Sequence, residues 1–386
     1  MEAPKARRRK VDAAEIATLL VSCEDRRGLV SALAQTLTGH GVNILQSIQH
    51  VDRRAGRFFQ RIRFDMREMH TDRLTLEGGI EEVTERLGME HRLVYAADVK
   101  RVALFVSKQE HCLYELLLRD RAGELPCEIA LIVSNHETLR PVAEQFGIRF
   151  EVFPITKETK AAQEERELAL LEELSIDLVV LARYMQILSS AFTERLAGRI
   201  INIHHSFLPA FVGGRPYHQA YKRGVKLIGA TAHYVTADLD EGPIIEQDVI
   251  RTSHRDLVDD LVKKGRHLEK TVLAHAVRWH LEDRVLVYDN KSVVLVGLAG
   301  PNLTTLDADA EGPVVVIADG QGDDLVVRGF TLRDGLSTSY NGGLFGGGMH
   351  IFDSSPTLKD LIIRDNVLSD TVDCYGAGMY LEDSDP

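Results

Sequence analysis

Four largely apolar runs, RVALFVS (101–107), EIALIVS (128–134), IRFEVFP (148–154), which Arg149 and Glu151 interrupt, and DLVVLA (177–182), constrain this chain more than any other feature. A strand with one wet face alternates apolar and polar residues, whereas a strand covered on both faces does not. Between the runs lie helix-like segments, CLYELLLRD, TLRPVAEQF and ETKAAQEERELALLEEL. Strands alternating with helices predict a doubly wound parallel sheet of the α/β class. Functional groups in such a sheet gather beyond the carboxyl ends of its strands. Ser107, Ser134–Asn135, Ala182–Arg183 and Asn202–His205 occupy those ends. No GxGxxG follows the first run, so a dinucleotide site has little support.

A chain of 386 residues is too long for one core, and two changes of texture bracket this region. Upstream, IATLLVSCED reads as a strand, and RGLVSALAQTLTGHG places Leu29, Val30, Leu33 and Leu37 at helical spacing. VNILQSIQHVD and GRFFQRIRFDM alternate as strands around an RRAG turn, and a second helix is expected over 74–87. A last strand at 91–96 completes a ferredoxin-like α+β domain. Downstream of Val296, RGFTLRDG is echoed by KDLIIRDN, and GGGMHIFDSSP by GAGMYLEDSDP. Short strands with Gly or Asn corners at a period of about thirty residues predict a right-handed parallel β-helix. It ends in its second echo without a visible cap, as an incomplete appendage would; a carbohydrate-binding role would rest on analogy alone. The expected division is a basic tail 1–14, an α+β domain 15–96, a parallel-sheet domain 97–295 and a β-helix-like segment 296–386.

The net charge of −12 argues against affinity for nucleic acid. The basic MEAPKARRRK start reads as a solvated terminus, with no apolar segment behind it to make a secretory signal. No apolar run approaches the ~20 residues of a membrane span. Cys23, Cys112, Cys127 and Cys374 are widely spaced, which points to a reducing cytoplasm rather than a disulfide framework or zinc site. Cys112, beside His111, reads as a small apolar residue near a helix start.

INIHHSFLPAF (201–211) carries the densest chemistry. Asn202 and His204 alternate with isoleucines and so share one face of a strand, while His205 points the other way unless the strand has already ended. Downstream, GATAHYVTADLDEGPII puts His233 on a strand and Asp240 in a loop before Gly242, with Asp238 and Glu241 as solvated neighbours. Amide, imidazole and carboxylate together suit attack on an acyl carbon: the amide stabilises an oxyanion, the imidazole handles a proton, the carboxylate orients. His204, His233 and Asp240 also make a two-histidine, one-carboxylate metal set, although without the compact spacing such sites favour. The residues alone leave these alternatives open, together with a polar strand end.

These motifs, with VGGRPYHQAYKRGVKLIGATAHYVTADLDEGPIIEQDV, VLARYMQILS, SKQEHCLYELLLR, VSNH and AVRWHLEDRV, resemble the formyltetrahydrofolate deformylase family of the folate-dependent formyltransferase superfamily, over about residues 15–295. The resemblance implies hydrolysis of 10-formyltetrahydrofolate to formate and tetrahydrofolate, which supplies formate for purine synthesis and balances the folate pools. It needs no metal or redox cofactor. It implies catalysis by Asn202, His204 and Asp240, and substrate binding by Arg183, Tyr184, Met185, Gln186 and Ile187, largely through their backbone, with His205, His233 and Gly242. His205 stands where transformylases of the superfamily carry proline, so it helps separate hydrolase from transferase. Ser107, Lys108, His111 and Cys112 lie where a transformylase seats its acceptor. The first region resembles an ACT domain, which implies an amino-acid effector such as glycine or methionine, a homo-oligomer, and effector contacts at Asp25, Gly28 and Asn43. Arg27 departs from the proline frequent there. Two rivals remain: a formyltransferase acting on an amine of a nucleotide or sugar, and a non-enzymatic sensor.

Overall fold

The computed structural model describes residues 15–209 and 216–295 and, further on, short strands between 305 and 382. The basic segment 1–14, the stretch 210–215 and the corners between the C-terminal strands lie outside the described residues. The chain divides after Leu295 into two compact units.

The first unit opens with β1 (Ile16–Glu24), α1 (Leu29–Gly39), β2 (Asn43–Asp52), β3 (Arg57–Asp65), α2 (Arg73–Arg86) and β4 (Glu90–Tyr95). The strands form an antiparallel sheet in the order β2-β3-β1-β4, the ferredoxin-like arrangement expected. β1 is central and buried on both faces, which explains its nearly unbroken apolar sequence. One face packs on the helices through Leu29, Leu33, Leu37, Leu76, Ile80 and Val83.

The sheet of the next region is built from β5 (Lys100–Val106), β6 (Cys127–Ser134), β7 (Arg149–Val152), β8 (Leu178–Leu181), β9 (Ile200–His204), β10 (Leu227–Tyr234) and β11 (Ile244–Arg251). Its helices are α3 (His111–Arg121), α4 (Arg140–Phe146), α5 (Lys160–Glu173), α6 (Ser190–Arg195), α7 (Pro216–Arg223) and α8 (Val258–Leu281), followed by the hairpin β12 (Val285–Tyr288) and β13 (Lys291–Val294). The order is β11-β10-β9-β8-β5-β6-β7. β7, β6, β5, β8 and β9 are parallel, as their continuous apolar runs predict. The wholly parallel sheet needs correction at one edge, because β10 is antiparallel to both β9 and β11. The chain leaving β9 re-enters the sheet at the same end, without the crossover a parallel neighbour requires. Isoleucines divide the two cores: Ile201 and Ile203 pack with Leu268 and Val272 of α8, and Ile200 packs with Phe105, Val179 and Leu168 of α5.

The α+β sheet grips the end of α8. Arg61 of β3, almost fully buried, donates to the carbonyls of Asp283 at 2.9 Å and Glu282 at 3.0 Å. Lys100 donates to the Leu281 carbonyl at 2.9 Å and pairs with the Asp283 carboxylate at 2.6 Å. Two cations thus meet carbonyls that have no partner within the helix.

α5 carries an unusual core group. Glu167 is fully buried, its Oε1 accepts from the Tyr184 hydroxyl at 3.3 Å, and Oε2 has no partner among the described residues. Burial pushes its carboxyl from an ordinary 4.5 up to about 7. A raised folded-state pKa gives stability that is full below about pH 4.5 and is lost as pH rises through about 7. Glu167→Gln removes that loss. In urea titrations its stability advantage over the wild type is expected to grow between those pH values, by on the order of 3 kcal/mol. An advantage independent of pH would contradict this reading.

In the second unit the described strands pair in parallel with partners roughly thirty residues on. Thr305 meets Thr331 and Thr331 meets Ile362, Val315 meets Met349 and Met349 meets Met379, and Val326 meets Thr357. Strand 338–340 pairs antiparallel with 343–345. Among the described residues, no helix is long and apolar enough to cross a membrane.

Candidate active site

Asn202 and His204 lie on β9 at the carboxyl end of the parallel strands, with His233 of β10 directly opposite Asn202 and Thr231 opposite His204. Directly opposed residues share a sheet face, so all four side chains gather there. The loop after β10 folds back to place Asp240 beside them. Its Oδ2 lies 3.2 Å from His204 Nδ1 and its Oδ1 3.6 Å from His233 Nε2. The His204 contact foremost holds the Asp240 carboxyl well below its ordinary value. Asp240 adopts left-handed backbone, φ 59°, a region that Asp tolerates better than most residues. Gly242 makes the fold-back possible, since a Cβ there would sit 1.8 Å from the Tyr234 carbonyl oxygen.

The protons in this cluster follow from its partners. His233 Nδ1 lies 2.9 Å from the Tyr234 carbonyl, which can only accept, so this nitrogen carries hydrogen. In neutral His233, Nε2 is then an acceptor, and the Asn202 amide nitrogen lies 3.3 Å from it. That contact orients the amide and leaves its second N–H free. His204 Nδ1 donates to Asp240, and its Nε2 is buried without a partner among the described residues. Beside Asp240 opens a cavity of about 650 Å³ with apolar walls at Leu208, Leu239 and Ile244 and with Lys291 at its rim.

The sequence-derived set divides when placed in the fold. Asn202, His204 and Asp240 come together. His233 joins them, but it is 2% exposed and both its nitrogens face protein, so its place is behind Asn202 rather than against a substrate. The Tyr184 side chain is buried, with its ring edge-on to Phe105 at 5.3 Å and its hydroxyl on Glu167. Only its backbone is left for a ligand. Arg183, at φ 67°, interrupts strand geometry and turns its side chain inward, where Nη1 lies 2.6 Å from His205 Nδ1 and Nε 3.3 Å from Glu269. Met185 and Ile187 remain exposed and Gln186 partly so; the Met185 amide donates to Ser107 Oγ. β9 ends at His204, so His205 lies just past the strand, and its ring stacks on that of His204 at 5.2 Å. Cys112 is fully buried, as a small apolar residue should be.

The effector set does not assemble within one chain. Asp25 and Gly28 follow the end of β1, whereas Asn43 shares a row with Asp65 and Ile16 at the opposite end of the sheet. Eight rows of strand, about 27 Å, separate the two ends.

Sequence reasoning missed Glu269, Tyr217 and the grouping of His111 with them. Glu269 lies on α8 among Leu268, Val272 and Leu273, and a lone carboxylate on an apolar helix face was the available signal.

Comparison with known proteins agrees with this architecture. Residues 100–277 match the formyl transferase family and residues 17–85 the ACT domain. The formyltetrahydrofolate deformylase of Synechocystis is 55% identical over 278 residues, covering 72% of this chain and 98% of its own. That of Bacillus subtilis is 51% identical over 277 residues, covering 72% and 92%. A crystal structure of a formyltetrahydrofolate deformylase from Pseudomonas syringae superimposes with a TM-score of 0.71 at 44% identity, covering 73% of this chain and 94% of that one. The chain belongs to the formyltetrahydrofolate deformylase family.

Proposed function

We infer that this protein hydrolyses 10-formyltetrahydrofolate to tetrahydrofolate and formate. The observation that carries this reading is the Asn202–His204–Asp240 cluster on a formyltransferase-type sheet, in a chain 55% identical to a deformylase. Water attacks the formyl carbon, and the carbonyl oxygen becomes an oxyanion. The free N–H of Asn202 and His204 Nε2–H, in the imidazolium form that Asp240 stabilises, receive that charge; one well-placed donor is worth ~3 kcal/mol. The C–N bond then breaks as N10 takes up the proton released by the water, relayed along solvent held at Asp240. A carboxyl held so far below its ordinary value is a poor proton store, so Asp240 acts by orientation.

Backbone groups of 183–187 and the exposed Met185 and Ile187 form part of the pterin pocket in this reading, and the sequence requires no metal or redox cofactor. The ACT match supports an amino-acid effector such as glycine or methionine. Asp25–Gly28 and Asn43 could contact one effector only across two protomers, which favours a homo-oligomer. The roughly thirty-residue parallel register of the C-terminal strands supports a β-helix there, and the cysteine spacing a cytoplasmic setting.

Incubation with 10-formyltetrahydrofolate and no amine is expected to yield formate and tetrahydrofolate in equal amounts. Turnover only after an amine is added would make the protein a transferase, and folate binding without turnover would make it a sensor.

A further inference from the structure

A second polar cluster lies behind His205, and catalysis as derived above does not use it. Glu269 of α8 is 1% exposed, yet both its oxygens are engaged. Oε1 accepts from the Tyr217 hydroxyl at 2.5 Å, while Oε2 lies 2.8 Å from His111 Nε2 and 3.3 Å from Arg183 Nε. His111, Cys112 and Glu269 bring ligand atoms within 4.8 Å of one another, the spacing of a metal site, but the guanidinium already supplies the cation. Gly265 makes room for the arrangement, since a Cβ there would lie 2.0 Å from the Tyr217 hydroxyl oxygen. From this anchor Arg183 extends Nη1 to His205 Nδ1 at 2.6 Å.

A guanidinium has only donors, so His205 Nδ1 must be the acceptor, and a neutral ring then carries its proton on Nε2. Among the described residues nothing meets that Nε2–H. The ring stacks on His204 at 5.2 Å with an interplanar angle of 19°, which puts the ring that carries this donor next to the catalytic imidazole. We propose that Glu269, through Arg183, is a positioning residue that holds His205 as the Nε2–H tautomer, and that this donor both seats the attacking water and discriminates against amines. The discrimination follows from lone pairs. Water has two, so it can accept from His205 and still attack the formyl carbon with the other. An amine has one, and accepting from His205 occupies the pair it needs for attack. This inference rests on the hydrolytic reading and extends it to the residues that select the nucleophile.

The test has two arms on the full chain. In ¹⁵N-histidine-labelled wild-type protein, with His205 assigned by the signal lost in His205→Asn, the expected pattern from pH 5 to 8 is a bare Nδ1 and a protonated Nε2. Burial and Arg183 hold this imidazole down at about 4, so no titration is expected in that range. In the second arm, Glu269→Gln and Arg183→Gln are assayed for formate release and for formyl transfer to added glycinamide. The expected result is a kcat for formate release lower by roughly 10–100-fold, KM within about threefold of wild type, and transfer to glycinamide where the wild type shows none. A His205 that is protonated on Nδ1 or titrates near neutrality overturns the proposal, and this arm is read on the wild-type protein, with His205→Asn used only for assignment. Variants of unchanged kcat, or with kcat and KM altered together and no transfer to glycinamide, overturn it as well. A wild type that forms no formate removes the functional reading beneath it, a failure separate from any in the tautomer measurement.

Discussion

Asp240→Asn is expected to lower kcat for formate release by about 10³–10⁴-fold while leaving folate affinity nearly unchanged. Asn keeps the size of the side chain and tolerates left-handed backbone, so φ 59° is not put under strain. The charge is lost, and with it the partner that sets the proton position on His204. The amide could turn its NH2 to Nδ1, driving the imidazole proton to Nε2 and removing support for the imidazolium that meets the oxyanion. Steady-state kinetics with a separate measurement of folate binding checks this. A loss below tenfold would mean that Asp240 is not the orienting group. The same carboxylate affects stability. A group with a depressed folded-state pKa contributes stability above its ordinary value of 3.8 and loses it as pH falls through the lower folded value. The wild type's stability advantage over Asp240→Asn should therefore hold at neutral pH and shrink only below about pH 4.

Asn202→Ala is expected to cost about 10²–10³-fold in kcat, the effect of one missing oxyanion donor, again with little change in KM. A second consequence separates this from a simple packing defect. Asn202 is the partner of His233 Nε2, and His233 is buried behind it. Truncation leaves that nitrogen unpartnered and should also lower unfolding stability by about 1–3 kcal/mol. Asn202→Gln, which restores an amide but one methylene too far, should recover part of the stability and little of the rate. Recovery of rate in proportion to stability would show that Asn202 acts only through the fold.

Much of this was legible in the sequence because the relevant forces are local. Continuous apolar runs report strands covered on both faces, and five of the strands are indeed parallel. Alternation in INIHH puts Asn202 and His204 on one strand face without any knowledge of their partners. What stayed hidden depends on register or on a single backbone angle. Nothing in VLARYMQIL shows that Arg183 takes φ 67°, and that angle turns its side chain inward while Tyr184 enters the core. Asp25 and Asn43 look close on the chain, yet the antiparallel register with β3 carries them to opposite ends of a sheet. Glu269 offers only the weak signal of one carboxylate on an apolar helix face until α8 is packed against β9 and β10.

α8 has a consequence for how this enzyme can be taken apart. The helix runs 24 residues, about 36 Å. Glu269 lies near its middle, and its final carbonyls are held by Arg61 from the N-terminal sheet and by Lys100. The N-terminal domain is therefore a structural part of the catalytic half and not a detachable accessory. A shortened protein beginning at the catalytic half would lose Arg61 and expose those carbonyls, and the helix that anchors Arg183 would fray from that end. Loss of turnover on removing the domain would then report a loosened helix and not a lost regulator, so regulation is better sought by substitutions at Asp25 or Asn43 that leave Arg61 in place.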